Sequence, residues 1–209
     1  MLETMQRVAI LIGGVALSTG AALLLNVVFP FAPAVNPDSN HTHADFAVWV
    51  FGKRLDFSQE KYMSGSSDVE EEGEHPHEHL HESLHLHDGN GDVIHRHKPG
   101  LTIADFFGSL GFVLDPKCVR DDQKNLLCED GDKKWRMFVN GHGRPYDPQY
   151  VFEDGDQILL SYGADDPAEI ARELTLMADD ACLYSKTCPW RGEPPKEGCV
   201  ADPTVPCRE

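Results

Sequence analysis

The stretch Leu84-His85-Leu86-His87-Asp88-Gly89-Asn90-Gly91-Asp92-Val93-Ile94-His95-Arg96-His97 constrains this chain more than any other. It reads as two short strands joined by a tight turn, and each strand carries an H-x-H pair. Residues i and i+2 of a strand face the same way, so His85 and His87 share a face, as do His95 and His97. Whether the two pairs share a face depends on the loop. If Asn90-Gly91 alone makes the turn, His87 opposes Ile94 and the pairs point apart. If the loop is odd, such as Gly89-Asn90-Gly91 with a bulge, His85 opposes His95 and His87 opposes Val93. All four imidazoles then lie on one face, with Leu84, Leu86 and Ile94 on the other. Burial of the apolar set selects register, so the odd loop is the expectation. Four imidazoles on a rigid hairpin suit a borderline metal such as Zn²⁺ or Cu²⁺.

A third pair opens the preceding strand. In His41-Thr42-His43-Ala44-Asp45-Phe46-Ala47-Val48-Trp49-Val50-Phe51, the apolar Phe46, Val48 and Val50 alternate with Asp45, Ala47 and Trp49, the period of a half-buried strand. His41 and His43 share the parity of Asp45 and stand opposite the Phe/Val side. The expected metal ligands are therefore His85, His87, His95 and His97, completed or replaced by His41 and His43. Asp45 or Asp88 is placed to orient an imidazole from behind. Ten of the eleven histidines fall between His41 and His97. Four of these, His75, His77, His79 and His81, lie in a low-complexity Ser/Glu/His insert, 64–83, which reads either as a metal-capturing tract or as a solvated linker. His142, between two glycines, reads as a turn residue, with an extra ligand as the alternative. Asp88-x-Asn90-x-Asp92 matches the start of a calcium loop, but Val93 stands where that loop needs Gly and Pro99 where it needs the bidentate Glu, so calcium is not expected.

Residues 8–29 form an apolar run without a charge, long enough to span a bilayer. Arg7 precedes the run, and no Lys or Arg follows it through Asn40. This places residues 1–7 in the cytoplasm and the rest outside, as a single-pass, membrane-anchored extracytoplasmic protein. Ala32-Pro33-Ala34 offers cleavage as the alternative. All six cysteines, Cys118, Cys128, Cys182, Cys188, Cys199 and Cys207, follow the run, where disulfides are permitted. Cys118 and Cys128 would close a short loop, whereas the last four allow three pairings. The formal net charge of −17 argues against a nucleic-acid partner.

After a linker, 30–40, a domain spans 41–163, and a C-terminal helix with a Cys-rich tail spans 164–209. Gly52-Lys53 turns the first strand into a hairpin. Thr102 fits an N-cap with Asp105 three residues on, Ile103, Phe106, Phe107 and Leu110 make one helix face, and Gly111 stops it. Cys118 to Asp132 reads as a clipped polar loop. Trp135 to Val139 alternates as a strand before an Asn140-Gly141 turn, and Asp154-Gly155-Asp156 turns into a strand running to Tyr162. Asp166 caps a second helix with Pro167 at its first position, and Ile170, Leu174, Met177 and Ala181 mark its buried side.

Three of these segments carry a family resemblance. They are Thr102 to Gly111, Trp135-Arg136-Met137-Phe138-Val139-Asn140-Gly141, and Asp154-Gly155-Asp156-Gln157-Ile158 running to Tyr162. Together they resemble the helix and last strands of the transcobalamin-like and SLBB-type β-grasp modules of secreted proteins. The H-T-H-A-D-F start also resembles that of His-rich, membrane-anchored extracytoplasmic proteins. The resemblance implies an α+β fold: a β-grasp-like mixed sheet with one packed helix, into which the His hairpin is inserted. It carries no ligand residues over, because the matching motif is made of turns and core.

These features point to an extracytoplasmic protein that binds Zn or Cu for capture, buffering or delivery. The alternatives are a cell-surface protein- or ligand-binding module with pH-responsive histidines, and a metal-dependent enzyme with Glu82 or Asp92 as base. No serine elbow, H-E-x-x-H, phosphate loop or C-x-x-C supports catalysis.

Overall fold

A computed structural model describes residues 34–38, 40–64 and 83–193. The expected anchor at 8–29, the insert between residues 64 and 83, Cys199 and Cys207 lie wholly or almost wholly outside these residues. Among the described residues no helix is long and apolar enough to cross a membrane. The fold is α+β, with a mixed sheet and few helices.

In chain order the strands are β1 (Thr42–Val50), β2 (Lys53–Arg54), β3 (Leu84–His85), β4 (Val93–Arg96), β5 (Val113–Leu114), β6 (Cys118–Arg120), β7 (Leu126–Cys128), β8 (Lys134–Val139), β9 (His142–Arg144) and β10 (Gln157–Gly163). The helices are α1 (Ile103–Ser109), α2 (Pro167–Thr175) and α3 (Ala181–Tyr184). The main sheet has the order β3-β4-β1-β10-β8-β9, and β2 pairs with the far end of β1. Its two central strands, β1 and β10, are parallel, with Asp45 opposite Gln157 and Val50 opposite Tyr162. Every other pairing in this sheet is antiparallel.

Alternation along β1 sorts the core. Ala44, Phe46 and Val48 face α1 and pack with Leu84, Leu86, Ile94, Ile103, Phe106 and Phe107. Phe46 is at the centre, its ring 5.0 Å from Phe106 and 5.2 Å from Phe57. Truncating such a ring typically costs about 3–5 kcal/mol. α1 starts where the sequence predicts. Thr102 Oγ1 accepts the Asp105 N–H at 3.2 Å, and Asp105 Oδ2 accepts the Thr102 N–H at 2.7 Å. Gly111, at φ +83°, supplies the left-handed residue after the helix.

The second face of β1 is not solvated, as its pattern suggests, but buried. Ala47, Trp49 and Leu159 pack with Phe138, Leu174 and Met177, and Val93 packs with Ala181 and Tyr184. The reason is the C-terminal segment, which lies across this face. It is not the single long helix that the spacing from Ile170 to Ala181 suggests. α2 ends at Thr175 and a separate short helix begins at Ala181. The break leaves N–H groups at the start of α3, and Asp45 of β1 takes two of them: Asp180 at 2.8 Å and Ala181 at 3.1 Å. A strand carboxylate thus acts as the cap of a helix far along the chain.

The expected loop from Cys118 to Asp132 contains order of its own. β5, β6 and β7 form a small antiparallel sheet in which Cys118 and Cys128 are directly opposed and disulfide-bonded. Cys182 and Cys188 form a second disulfide.

Candidate metal centre

The hairpin adopts the odd register. His85 lies opposite His95, and His95 lies opposite His43 on the next strand. These three imidazoles therefore form one row across β3, β4 and β1. His41 and His97 make the row on one side, because Thr42 pairs with Arg96 and the next residues outward are these two. His87 stands on the other side, beside Val93. The turn is longer than Gly89-Asn90-Gly91 but keeps its parity. Asp88 and Gly89 take left-handed conformations at φ 56° and 68°, and the Asn90 N–H donates to His87 O at 3.0 Å, as in a type I′ turn. Gly91 has no room for a side chain: a Cβ there would lie 2.3 Å from Ser58 N and 2.4 Å from Phe57 C. The hairpin is seated directly on the backbone after β2.

The rings are close and dry. His41–His43 centroids are 4.3 Å apart, His41–His97 4.1 Å, His87–His95 4.0 Å and His43–His95 4.8 Å. His85 and His95 are 0% exposed and His43 1%, while His41 and His87 are also buried. Ligand atoms of His41, His43 and His95 all lie within 4.8 Å of one another. A metal bound by imidazoles at about 2.0–2.1 Å would hold its ligand nitrogens at separations of this kind with small rotamer shifts. This buried cluster can hold a metal ion. Burial, followed by the charges of His43, His87, His85 and His41, holds the His95 ring well below its ordinary pKa, so it stays neutral and available as a ligand.

Hydrogen bonds set which nitrogen each ring presents. Ser185 Oγ donates its one proton to Asp154 Oδ1 at 2.5 Å, so it accepts from His43 Nδ1–H at 2.8 Å. Neutral His43 then carries its lone pair on Nε2. On the other side, Asp88 Oδ2 accepts from His87 Nδ1–H at 2.7 Å. Neutral His87 uses Nε2 to accept from His95 Nδ1–H at 3.2 Å, which leaves the His95 lone pair on Nε2. Two carboxylate-anchored chains thus prepare His43 and His95 in the same tautomer, an arrangement that also raises ligand basicity.

The C-terminal segment closes the site. The Tyr184 ring lies 4.8 Å from His95 and 5.6 Å from His43, and its hydroxyl accepts from Asn90 Nδ2 at 2.9 Å. Asp45 fixes the start of α3, Ser185 fixes its end, and the Cys182–Cys188 disulfide closes the following loop. Burial, the largest influence, and the nearby Asp180 and Asp179 charges raise the Asp45 carboxyl to about 6 against the pull of its two backbone donors.

No protein-family model, curated protein or solved structure matches this chain. Its chemistry has to be read from the site itself.

The six histidines singled out from sequence, His41, His43, His85, His87, His95 and His97, all lie in this array, and three of them form the tight triad. Of the two carboxylates expected to orient a ring, Asp88 does so, whereas Asp45 is used by the α3 backbone. His142 is not in the turn but is the first residue of β9, opposite Val139, where it is exposed with Nδ1 bonded to Asn140 O at 2.7 Å, away from the histidine array. The calcium-like residues are used elsewhere: Asp88 on His87, Asn90 on Tyr184 and the Asp92 N–H, and Asp92 on Arg54. Tyr184, Ser185 and Asp154 were invisible to sequence reasoning. Tyr184 and Ser185 sit in no motif, Asp154 is marked only as part of the Asp154-Gly155-Asp156 turn, and Ser185 meets His43 across 142 residues of chain.

Proposed function

We propose that the protein is an extracytoplasmic, membrane-anchored binder of a transition metal, Zn²⁺ or Cu²⁺, acting in capture, buffering or delivery. The observation that carries this reading is the buried triad His41, His43 and His95, with ligand atoms within 4.8 Å and two ring tautomers set by anchored hydrogen bonds. Imidazole-only donor sets favour borderline metals over calcium or magnesium. His97, with its ring 4.1 Å from His41, is the candidate fourth donor, since His87, 4.0 Å from His95, has its Nε2 engaged with that ring. Its engagement would give a closed site, as expected for holding a metal rather than catalysing with it. Two disulfides support an oxidising compartment, and the uncharged run at 8–29 supports the anchor. The parallel central pair formed by the first and last strands, flanked by antiparallel partners with α1 packed across them, supports a β-grasp-like fold of the transcobalamin or SLBB type.

The test is a chelator-competition titration of the full-length chain, prepared without a histidine tag, against Zn²⁺ and Cu²⁺. His95→Ala is expected to lose tight binding of one equivalent, while the exposed His142→Ala retains it. Equal affinity in both variants would contradict the assignment.

A further inference from the structure

On the face of the sheet away from the histidines lies an apolar cavity of about 270 Å³. Val48 and Leu160 of the central strands form its floor, Phe112 one wall, and Val119 and Leu127 of the small sheet its roof. The polar residues among its lining are Asp121 and Asn125, on the solvent-exposed turn between β6 and β7.

Polar latches keep the space open. Trp135 Nε1–H donates to Leu127 O at 2.9 Å, and the Tyr162 hydroxyl donates to Cys128 O at 2.5 Å. In the same turn, Asp122 accepts from Lys61 Nζ at 2.5 Å and from the Tyr62 hydroxyl at 2.9 Å. The Cys118–Cys128 disulfide joins β6 to β7. The roof is thus held at both edges and cannot settle onto the sheet without breaking several of these bonds. An apolar space maintained against collapse destabilises the empty protein, and an apolar pocket with a few polar groups at one end is the usual form of a small-molecule site.

The polar end selects the ligand. The Asp121 carboxylate accepts from Asn125 N–H at 2.7 Å and from Asn125 Nδ2 at 2.8 Å, one bond on each oxygen. Each oxygen retains a second lone pair and offers acceptors only. A ligand group that meets Asp121 must therefore bring a donor, and an anion there would face both this carboxylate and a chain of net charge −17. We propose that this cavity binds a small neutral or cationic amphiphile, with an aromatic or branched aliphatic body of roughly ten non-hydrogen atoms and a hydroxyl or ammonium group directed at Asp121. The site is independent of the histidine centre on the opposite face.

Three probes with the same phenyl body test it: phenethylamine, 2-phenylethanol and phenylacetate. They are titrated into the full-length chain in lipid nanodiscs, with ¹³C-methyl NMR signals of Val48, Leu127 and Leu160 as the readout. The amine and the alcohol are expected to give saturable shifts of these methyls, with phenylacetate at least about tenfold weaker. Leu127→Phe, which fills the space, abolishes the shifts at Val48 and Leu160. Asp121→Asn, on the exposed turn, leaves the fold intact and narrows the difference between amine and acid. No saturable shift with any probe, unchanged binding by Leu127→Phe, or a preference for the acid that Asp121→Asn does not alter would each overturn the proposal.

Discussion

Ser185 Oγ lies 2.8 Å from His43 Nδ1 and donates its own hydrogen bond to Asp154, 2.5 Å away. The imidazole is therefore held with its proton on Nδ1 and its lone pair on Nε2. Removing such an outer partner of a ligand typically costs about 10–100-fold in metal affinity. Ser185→Ala is expected to weaken binding within that range while leaving the metal stoichiometry at one, as read by competition with a chromophoric chelator. An affinity equal to the parent chain would mean that this relay does not tune the ligand.

The same segment bears Tyr184 over His43 and His95, and its following loop is closed by Cys182–Cys188. With the triad so deeply buried, a metal leaves only when this cover moves. Replacing both cysteines by serine lowers the local stability of the cover. Metal release to excess chelator, followed by stopped flow, should then accelerate on the order of tenfold. An unchanged release rate would place the exit path elsewhere.

The hairpin register was legible because its evidence is local. H-x-H parity and the apolar partners Leu84, Leu86 and Ile94 fix which residues face which way, and the structure pairs His85 with His95 accordingly. The Thr102–Asp105 cap of α1 was legible for the same reason. What covers the histidine face was not. Ala47 and Trp49 alternate as a solvated side would, and nothing in β1 announces that α2 and α3 return to bury it. Asp45 shows the limit most clearly. Its parity puts it with the histidines, as read, yet its carboxylate is used by backbone N–H groups of Asp180 and Ala181. Contacts between segments so far apart are set by packing of the whole chain rather than by local pattern.

Glu173 is 1% exposed on α2. Burial raises its carboxyl above the ordinary range, against weaker opposition from the Ser161 hydroxyl and the Arg172 and Arg136 charges. A carboxyl raised on folding gives stability that is complete below its unfolded pKa of about 4.3 and is lost as pH rises through the folded value. Glu173→Gln removes that loss. Its Tm should exceed the parent's at pH 8, with the gap shrinking toward pH 4. A gap that widens in acid would reverse the sign of the account.

The seat of the hairpin can be tested at Gly91, where an added Cβ would meet the Phe57–Ser58 backbone at 2.3–2.4 Å. Forced overpacking of this kind costs about 1–3 kcal/mol, which for a chain of this size lowers Tm by roughly 2–4 °C per kcal/mol. Gly91→Ala should therefore melt several degrees lower by circular dichroism and bind metal more weakly, since the imidazole row moves with the turn. Gly89→Ala makes a useful contrast: a Cβ there meets nothing within 4 Å, and only its left-handed φ of 68° resists the change.

The most direct measurement is X-ray absorption at the metal edge. The sample is Zn²⁺- or Cu²⁺-loaded protein in which His75, His77, His79 and His81 have been replaced by Ala, so that the insert contributes no signal. A metal held by the triad predicts one equivalent bound, at least three imidazole nitrogens at about 2.0–2.1 Å, and loss of that signature in His43→Ala and His95→Ala. A first shell of oxygens alone, or an imidazole signature that survives both substitutions, would contradict the assignment.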